Sequence, residues 1–480
     1  MQVPKQVDSS IELETVHSIF KQMETDFHQA SITSYEFRIA GLKKLEQNLL
    51  LFKDRISNAV RLDLNKSGFE SDTSELLTCL LELRKAKRNL KNWMRTKSIQ
   101  TPTELIGSSH FIRHEPKGVV LILAPWNYPI NLSIIPLIAA WAAGNKIIIK
   151  PSELAPNSAK CVKELIEASF APADVRVVCG NHETAEALVQ LPFNHIFFTG
   201  SQKTAKKILK AASENLTSVT LELGGKNPLI LDDTVSLKKC MPDIVYGKCI
   251  NAGQTCIAPD FILLPNKMLA EFVSEWNTAL RNMFGENLIE NPDYCGILND
   301  AHYNRLLKIV NESLDQGAQL IEPIQLNAAD RKIKPILLLN TSWNHVSMQS
   351  ELFGPVLPLI AYDSLEAESY NIQKMDRPLT LYIFSNDTQH QNFILDTIRS
   401  GGVTINNCLL NYCNFNLPFG GTHQSGHGSN HGYYGFETFS HKRGISKQGK
   451  LINALRFFYP PFTKSKIVLK TCLIKLIGKI

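Results

Sequence analysis

Between Val119 and Glu222 the chain alternates five times between a short apolar run and a turn or helix, and no other feature restricts its folding as much. The runs are Val119-Val-Leu-Ile-Leu123, Lys146-Ile-Ile-Ile149, Val175-Arg-Val-Val178, His195-Ile-Phe-Phe198 and Ser218-Val-Thr-Leu-Glu222. Helical patterns at Ile130–Ala143, Asn157–Ser169, Glu183–Leu191 and Gln202–Glu214 separate them, the first closed by Gly144-Asn145. Apolar strands joined by helices are buried on both faces, as parallel sheets require. Five such units make a dinucleotide-binding architecture the default expectation.

The flanks differ in kind. From about Ser9 to Met94 the pattern is helical, and Tyr35–Leu64 lacks proline while spacing its apolar residues three and four apart. Residues 101–118 break into short β-type pieces such as Phe111-Ile-Arg-His, which suit an arm outside the core. A second α/β region is expected from about Leu223 to Asn406, with helices at Met268–Phe284 and Ala301–Gln316. Its strand candidates are Ile262–Leu264, Val356–Ile360 and Leu381–Phe384. Ser400–Asn406 then leads into a Gly- and His-rich loop from Pro418 to Gly435, and no internal repeat is visible.

At 480 residues and 44% hydrophobic content, the chain can bury two or three ordinary cores. The first ten residues have no apolar core segment, so no signal peptide is read. Ten scattered cysteines without a CxxC pair suit a reducing cytoplasmic setting better than a disulfide framework. The net charge of +6 is unevenly placed: Thr438–Ile480 holds ten Lys or Arg and no acid, leaving 41 basic against 45 acidic side chains elsewhere. No nucleic-acid partner is expected for a body so mildly acidic.

One cysteine stands apart. Asn251-Ala-Gly-Gln-Thr-Cys256-Ile-Ala-Pro-Asp260 places Cys256 on a polar, Gly-containing loop between a helical run and the apolar Phe261–Leu264. A thiol there is by default a small core residue, but it is also a nucleophile when a base approaches it. The company of Cys256 favours the second reading. Pro125-Trp-Asn-Tyr-Pro129 follows the first strand, at the end where open parallel sheets bind ligands, and the Asn127 amide can donate to a developing oxyanion. Leu221-Glu-Leu-Gly-Gly-Lys226 ends the fifth strand with Glu222, a carboxylate poised as a base rather than a helix cap.

Lys150-Pro-Ser-Glu153 ends the second strand, where Lys150 and Glu153 can hydrogen-bond ribose hydroxyls. Phe198-Thr-Gly-Ser201 opens a helix whose N-terminal N–H groups suit a pyrophosphate, so Thr199, Gly200 and Ser201 are cofactor candidates. The P-loop spacing fails because Ala205 replaces its second glycine, which argues against phosphoryl transfer. Gly426-His-Gly428 follows no apolar strand. His423, His427 and His431 lie four apart, but the intervening glycines oppose a helix and no metal site is expected.

Taken together, these stretches resemble the aldehyde dehydrogenase superfamily, and within it the class 3 or fatty aldehyde dehydrogenase branch. The likeness runs from about Phe37 to Lys442 and rests on PWNYP, KPSE, FTGS, LELGGK, GQTCIAPD, ELFGPVLP at 351–358, PFGG at 418–421 and FETFSH at 436–441. It implies an α/β fold: a Rossmann-like parallel-sheet cofactor domain (1–100 and 119–222), a second α/β catalytic domain (223–406) and a small oligomerisation arm (101–118 and 407–445). Residues 446–480 remain as a basic apolar tail.

The resemblance also implies roles. Cys256 would attack an aldehyde, Asn127 and the Cys256 N–H would hold the oxyanion, and Glu222 would activate the water that hydrolyses the thioester. Glu351 would hold the nicotinamide ribose, Phe353 and Trp126 would face that end of the cofactor, and Lys150 and Glu153 would bind the adenosine ribose. Glu153 points to NAD, with NADP possible. Medium- or long-chain aliphatic or aromatic aldehydes are the implied substrates, and a homodimer the implied assembly. A CoA-acylating enzyme and a non-catalytic scaffold are the alternatives.

Two departures are visible. The family usually has glycine where Ala205 stands, so its methyl is expected to crowd the pyrophosphate, and Thr422-His423 replaces the usual Val-Gly after PFGG. In the tail, lysines interspersed with Ile, Leu and Val suggest peripheral attachment to an anionic membrane surface, with a tail packed on a partner subunit or left disordered as the equal alternative. No uncharged run there approaches the ~20 residues needed to span a bilayer.

Overall fold

The computed structural model describes residues 9–478. Met1–Asp8, most of the stretch searched for a leader, and Lys479 of the tail lie outside the described residues.

The five apolar runs form one sheet. Its order is Gly426–His427, Ser218–Leu223, His195–Gly200, Val119–Leu123, Lys146–Lys150, Val175–Val177, and all pairs except the first are parallel. All five residues of Val119–Leu123 are buried, as a central strand covered by helices on both faces must be. The order reverses direction at this strand, since its neighbours His195–Gly200 and Lys146–Lys150 lead away on opposite sides. Loops leaving the carboxyl ends of strands at such a switch point border a crevice. Those loops carry Asn127 and Ser201.

The N-terminal helices Tyr35–Leu51, Lys53–Leu64 and Thr78–Trp93 share one hydrophobic core with this sheet and with helix Asn131–Ala143. Between them, Asp72–Leu77 winds as a π-helical turn, which carries Glu75 into full burial. Helix Asn131–Ala143 is buried along its whole length and ends at Gly144 with φ +91°.

Strand Ser218–Leu223 passes within five residues into a second sheet. The order there is Gln319–Leu320, Ile336–Leu339, Val356–Tyr362, Phe261–Pro265, Pro228–Leu231, Thr380–Phe384, Gly402–Ile405, parallel throughout except at the first pair. The three strands expected from sequence in this region are present. Pro228–Leu231 and Ile336–Leu339 were not expected, because each is a four-residue run bordered by proline. Proline at the first residue of a strand is tolerated even in a sheet interior.

A third, antiparallel sheet joins Lys97–Ile99, Ser108–Pro116 and Ser440–Gln448. The stretch before Ser440 packs on the first sheet instead. Gly426 and His427 pair with Glu222 and Leu221, and Phe436 of helix Gly432–Thr438 enters the core beside Trp93. Helix Lys464–Ile477 follows, with its described side chains almost wholly exposed.

Candidate active site

Cys256 sits just after a tight turn in which Asn251, Ala252 and Gly253 all take positive φ, at 51°, 50° and 74°. A side chain at Gly253 would meet the Gly354 carbonyl oxygen at 2.5 Å, so glycine alone lets this turn close on the Glu351–Gly354 loop. The turn is held by side chains. Asn227 Nδ2 donates to the carbonyls of Cys256 and Ala258 at 2.7 and 3.0 Å, and Tyr382 donates to that of Ile257. Gln254 Nε2 donates to the Gly296 carbonyl at 3.0 Å, while its Oε1 accepts from the Leu298 N–H.

Nine of the eleven residues singled out from sequence line one cavity of about 240 Å³: Trp126, Asn127, Thr199, Gly200, Ser201, Glu222, Cys256, Glu351 and Phe353. Trp126 and Phe353 meet edge to face at 5.5 Å and form an apolar wall. Pro125, Gly224 and two further side chains, His302 and Arg305, complete the lining. These two were missed, because a His and an Arg three apart on an amphipathic helix carry no distinguishing pattern. Lys150 and Glu153 lie elsewhere: they pair with each other, and Glu153 borders a separate hollow of about 390 Å³ with Lys160 and Lys163.

The cavity is electrostatically unusual. Glu222 is buried, accepts one bond from Thr199 Oγ1 at 3.3 Å, and leaves Oε1 without a partner among the described residues. Burial pushes its carboxyl up to about 8, against the opposing pull of that hydroxyl. Burial likewise raises Glu351 to about 8, with Asp260 adding repulsion and the Gly225 N–H opposing. The Cys256 thiol is held above its ordinary value, first by burial and then by these two carboxyls. Asn127 Nδ2 donates to the Gln254 carbonyl at 3.0 Å, which uses one of its two N–H groups.

A cleft of about 770 Å³ lined by Ser201, Gln202, Gly224, Gly225 and Glu351 adjoins these residues. Ser201 caps helix Gln202–Glu214, accepting from the Thr204 N–H at 3.3 Å, so the helix's N-terminal N–H groups border the cleft. Gly224 leaves room for the Glu351 carboxyl, since a Cβ there would lie 2.1 Å from Glu351 Oε1 and that side chain would have to move. A helix N-terminus for phosphates and carboxylates for hydroxyls make a donor set that fits a dinucleotide. The Ala205 methyl is not where the sequence placed it. It is buried, in the same core cluster as Leu188 and Ile208, and lines none of these cavities.

The histidine series separates as well. His431 is buried against Tyr412, Phe415 and Phe419, and burial pushes it down to about 3, so it stays neutral. His423 and His427 are solvent-exposed, and no metal-binding group of His, Cys, Asp or Glu occurs among the described residues.

The sequence profile of the aldehyde dehydrogenase family matches residues 7–445. The chain belongs to that family. Its activity is therefore NAD(P)-dependent oxidation of aldehydes. Among its relatives is 4,4'-diaponeurosporen-aldehyde dehydrogenase of Staphylococcus aureus, 38% identical over 92% of this chain and 96% of that protein. A probable coniferyl aldehyde dehydrogenase of Pseudomonas aeruginosa is 37% identical over 96% and 97%. Aldehyde dehydrogenase family 3 member B2 of Mus musculus is 38% identical over 93% and 92%, in keeping with the class 3 likeness. The substrate-bound structure of Staphylococcus aureus AldH superposes with a TM-score of 0.92 at 36% identity, covering 95% of this chain and 99% of that one.

The electrostatics of the enzyme's cavity can be read directly. At pH 9 both carboxyls are ionised and oppose thiolate formation, so Glu222→Gln or Glu351→Gln should speed alkylation of Cys256 by about 3- to 10-fold. Iodoacetamide labelling followed by mass spectrometry of the Cys256 peptide measures this. Slower labelling in both variants would contradict the picture.

Proposed function

We propose that Cys256 is the nucleophile of this aldehyde dehydrogenase and Glu222 its general base. Cys256 gives up its thiol proton to solvent water, and Sγ adds to the aldehyde carbon to give an oxyanionic thiohemiacetal. The second N–H of Asn127 and the Cys256 backbone N–H hold the oxyanion, and one such donor is typically worth ~3 kcal/mol. A nicotinamide cofactor, where bound, would supply the two-electron oxidation of that carbon as a hydride acceptor. The thioester left on Cys256 is hydrolysed by a water whose proton passes to Glu222. The observation that carries this reading is the shared cavity, in which an unpartnered Glu222 oxygen, Asn127 and Cys256 meet.

Glu351 holds the nicotinamide ribose, with Phe353 and Trp126 against that end, Thr199, Gly200 and Ser201 along the cofactor, and Lys150 and Glu153 at the adenosine ribose. NAD is preferred because Glu153 disfavours a 2′-phosphate, while Lys160 and Lys163 beside it leave NADP usable. Substrates are medium- or long-chain aliphatic or aromatic aldehydes. The apolar Trp126–Phe353 wall supports this, as do the extended or aromatic aldehydes in the names of two relatives. A base placed to activate water argues against CoA acylation, and a complete catalytic set against a scaffold.

The protein works as a homodimer in the cytoplasm, attached peripherally to anionic membrane through its tail. The free edge of strand Ser440–Gln448 supports the first statement. All ten cysteines are free, which suits a reducing compartment. Helix Lys464–Ile477 exposes Ile467, Val468, Leu473, Ile474 and Ile477 beside Lys470 and Lys475, and supports membrane contact. No helix among the described residues is long and apolar enough to cross a membrane.

Two outcomes are expected. Reduced-cofactor formation with a panel of short, long-chain and aromatic aldehydes should vanish in Cys256→Ala. Where hydrolysis limits turnover, the rate should rise about tenfold per pH unit below 8, levelling off once Glu222 is ionised. Turnover surviving in Cys256→Ala, or a flat profile from pH 6 to 9, would overturn the assignment. For the tail, the full chain should co-sediment with phosphatidylserine vesicles in low salt and a chain ending at Thr463 should not. Equal sedimentation of the two would rule the attachment out.

A further inference from the structure

Lys66, in the connection after helix Lys53–Leu64, and Glu75, in the π-helical turn, have fully buried side chains 3.3 Å apart, distant in sequence from every motif of the active site. Removing both charges from water is costly, and such a pair is poor evidence for stability in its own right. Its contacts explain it better. Glu75 Oε2 accepts from the Ile130 and Asn131 N–H groups at 3.1 and 2.8 Å, fixing the start of helix Asn131–Ala143. Lys66 Nζ donates to the Asn127 carbonyl at 3.4 Å and lies 4.2 Å from the centre of the Tyr128 ring. Tyr128 in turn bonds Thr255 Oγ1 at 2.8 Å, next to Cys256.

The same carbonyl is reached from the other side. Asn251 Nδ2 donates to the Asn127 carbonyl at 2.9 Å and to the Gln254 carbonyl at 3.0 Å. The Gln254 carbonyl is also the acceptor of the Asn127 amide. Asn251 itself is anchored by its backbone N–H on Glu70 Oε1 at 2.8 Å. The loop bearing the oxyanion donor and the loop bearing the nucleophile are therefore stitched together by polar side chains that touch neither substrate nor cofactor cavity.

We infer that Lys66, Glu75 and Asn251 form a buried polar bridge that sets the position of the Asn127 amide relative to Cys256, and that they are positioning residues for oxyanion stabilisation. The inference rests on the oxyanion role proposed for Asn127. A misplacement on the scale of 1 Å at such a donor costs on the order of 10- to 100-fold in rate.

Two variants break the bridge from opposite ends. Asn251→Gly removes the side chain where φ is 51° and glycine fits without strain. Lys66→Met/Glu75→Gln removes both charges together, so neither is left buried alone. On folded protein, each should lower kcat by about 10- to 100-fold, with the aldehyde KM and the NAD dissociation constant within about twofold of wild type. Placed on Asn127→Ala, each should lower kcat no further, because the donor it positions is gone. Wild-type kcat in both variants, losses that multiply with that of Asn127→Ala, or a loss confined to NAD binding would overturn the bridge. Wild-type kcat in Asn127→Ala alone would instead overturn the oxyanion role beneath it.

Discussion

The buried ion pair between Lys226 and Asp260 holds the three parts of the site to one another. Lys226 closes the LELGGK turn that begins with Glu222, and Asp260 ends the loop that carries Cys256. Asp260 Oδ1 also accepts from the Leu352 N–H at 2.9 Å, which fixes the loop of Glu351 and Phe353. The Asp260 N–H donates to the Asn227 carbonyl at 2.8 Å, and Asn227 in turn grips the Cys256 carbonyl. Such a pair gains little net stability over an apolar core. Its value here is geometric, because three loops from two sheets reach one cavity through it.

That geometry creates a chemical tension. Burial disfavours the charged form of each carboxyl, so Glu222 and Glu351 are both driven toward their neutral forms near neutral pH. Burial, and then the two carboxyls, oppose ionisation of Cys256. A carboxylate whose acid lies near 8 is a stronger base than an ordinary surface glutamate, and only its ionised fraction, which grows as the pH rises toward 8, can take a proton from water. The site thus trades nucleophile ionisation for base strength. In the proposed mechanism, Asn127 meets the negative charge that appears on the substrate oxygen once the sulfur has attacked.

Much of this was legible in the sequence. The five βα units could be placed because central parallel strands, buried on both faces, leave unbroken apolar runs such as Val119–Leu123. The motif residues could be placed because they stand at strand ends and on Gly-containing loops, and at Gly253 the close approach to the Gly354 carbonyl at φ 74° is one that only glycine permits. What escaped notice was tertiary. Lys66 lies in a short connection between helices and Glu75 is carried inward by a π-helical turn, so neither burial shows as a pattern in the sequence. The strands Pro228–Leu231 and Ile336–Leu339 are too short to show a period. Ala205 looked like a cleft residue because its motif spacing was judged without knowing which side of helix Gln202–Glu214 meets the core. His427 pairs into a sheet from inside a glycine-rich loop, where no strand pattern exists.

The central claim is that the acyl group rests on Cys256 until Glu222 delivers water to it. Glu222→Gln mixed with aldehyde and NAD, quenched in acid and digested, tests it most directly by mass spectrometry. The expected result is a Cys256 peptide heavier by the acyl group of the aldehyde supplied, present at near-stoichiometric yield and absent without NAD. An adduct on another cysteine, or NADH formed with no adduct on any peptide, would contradict it.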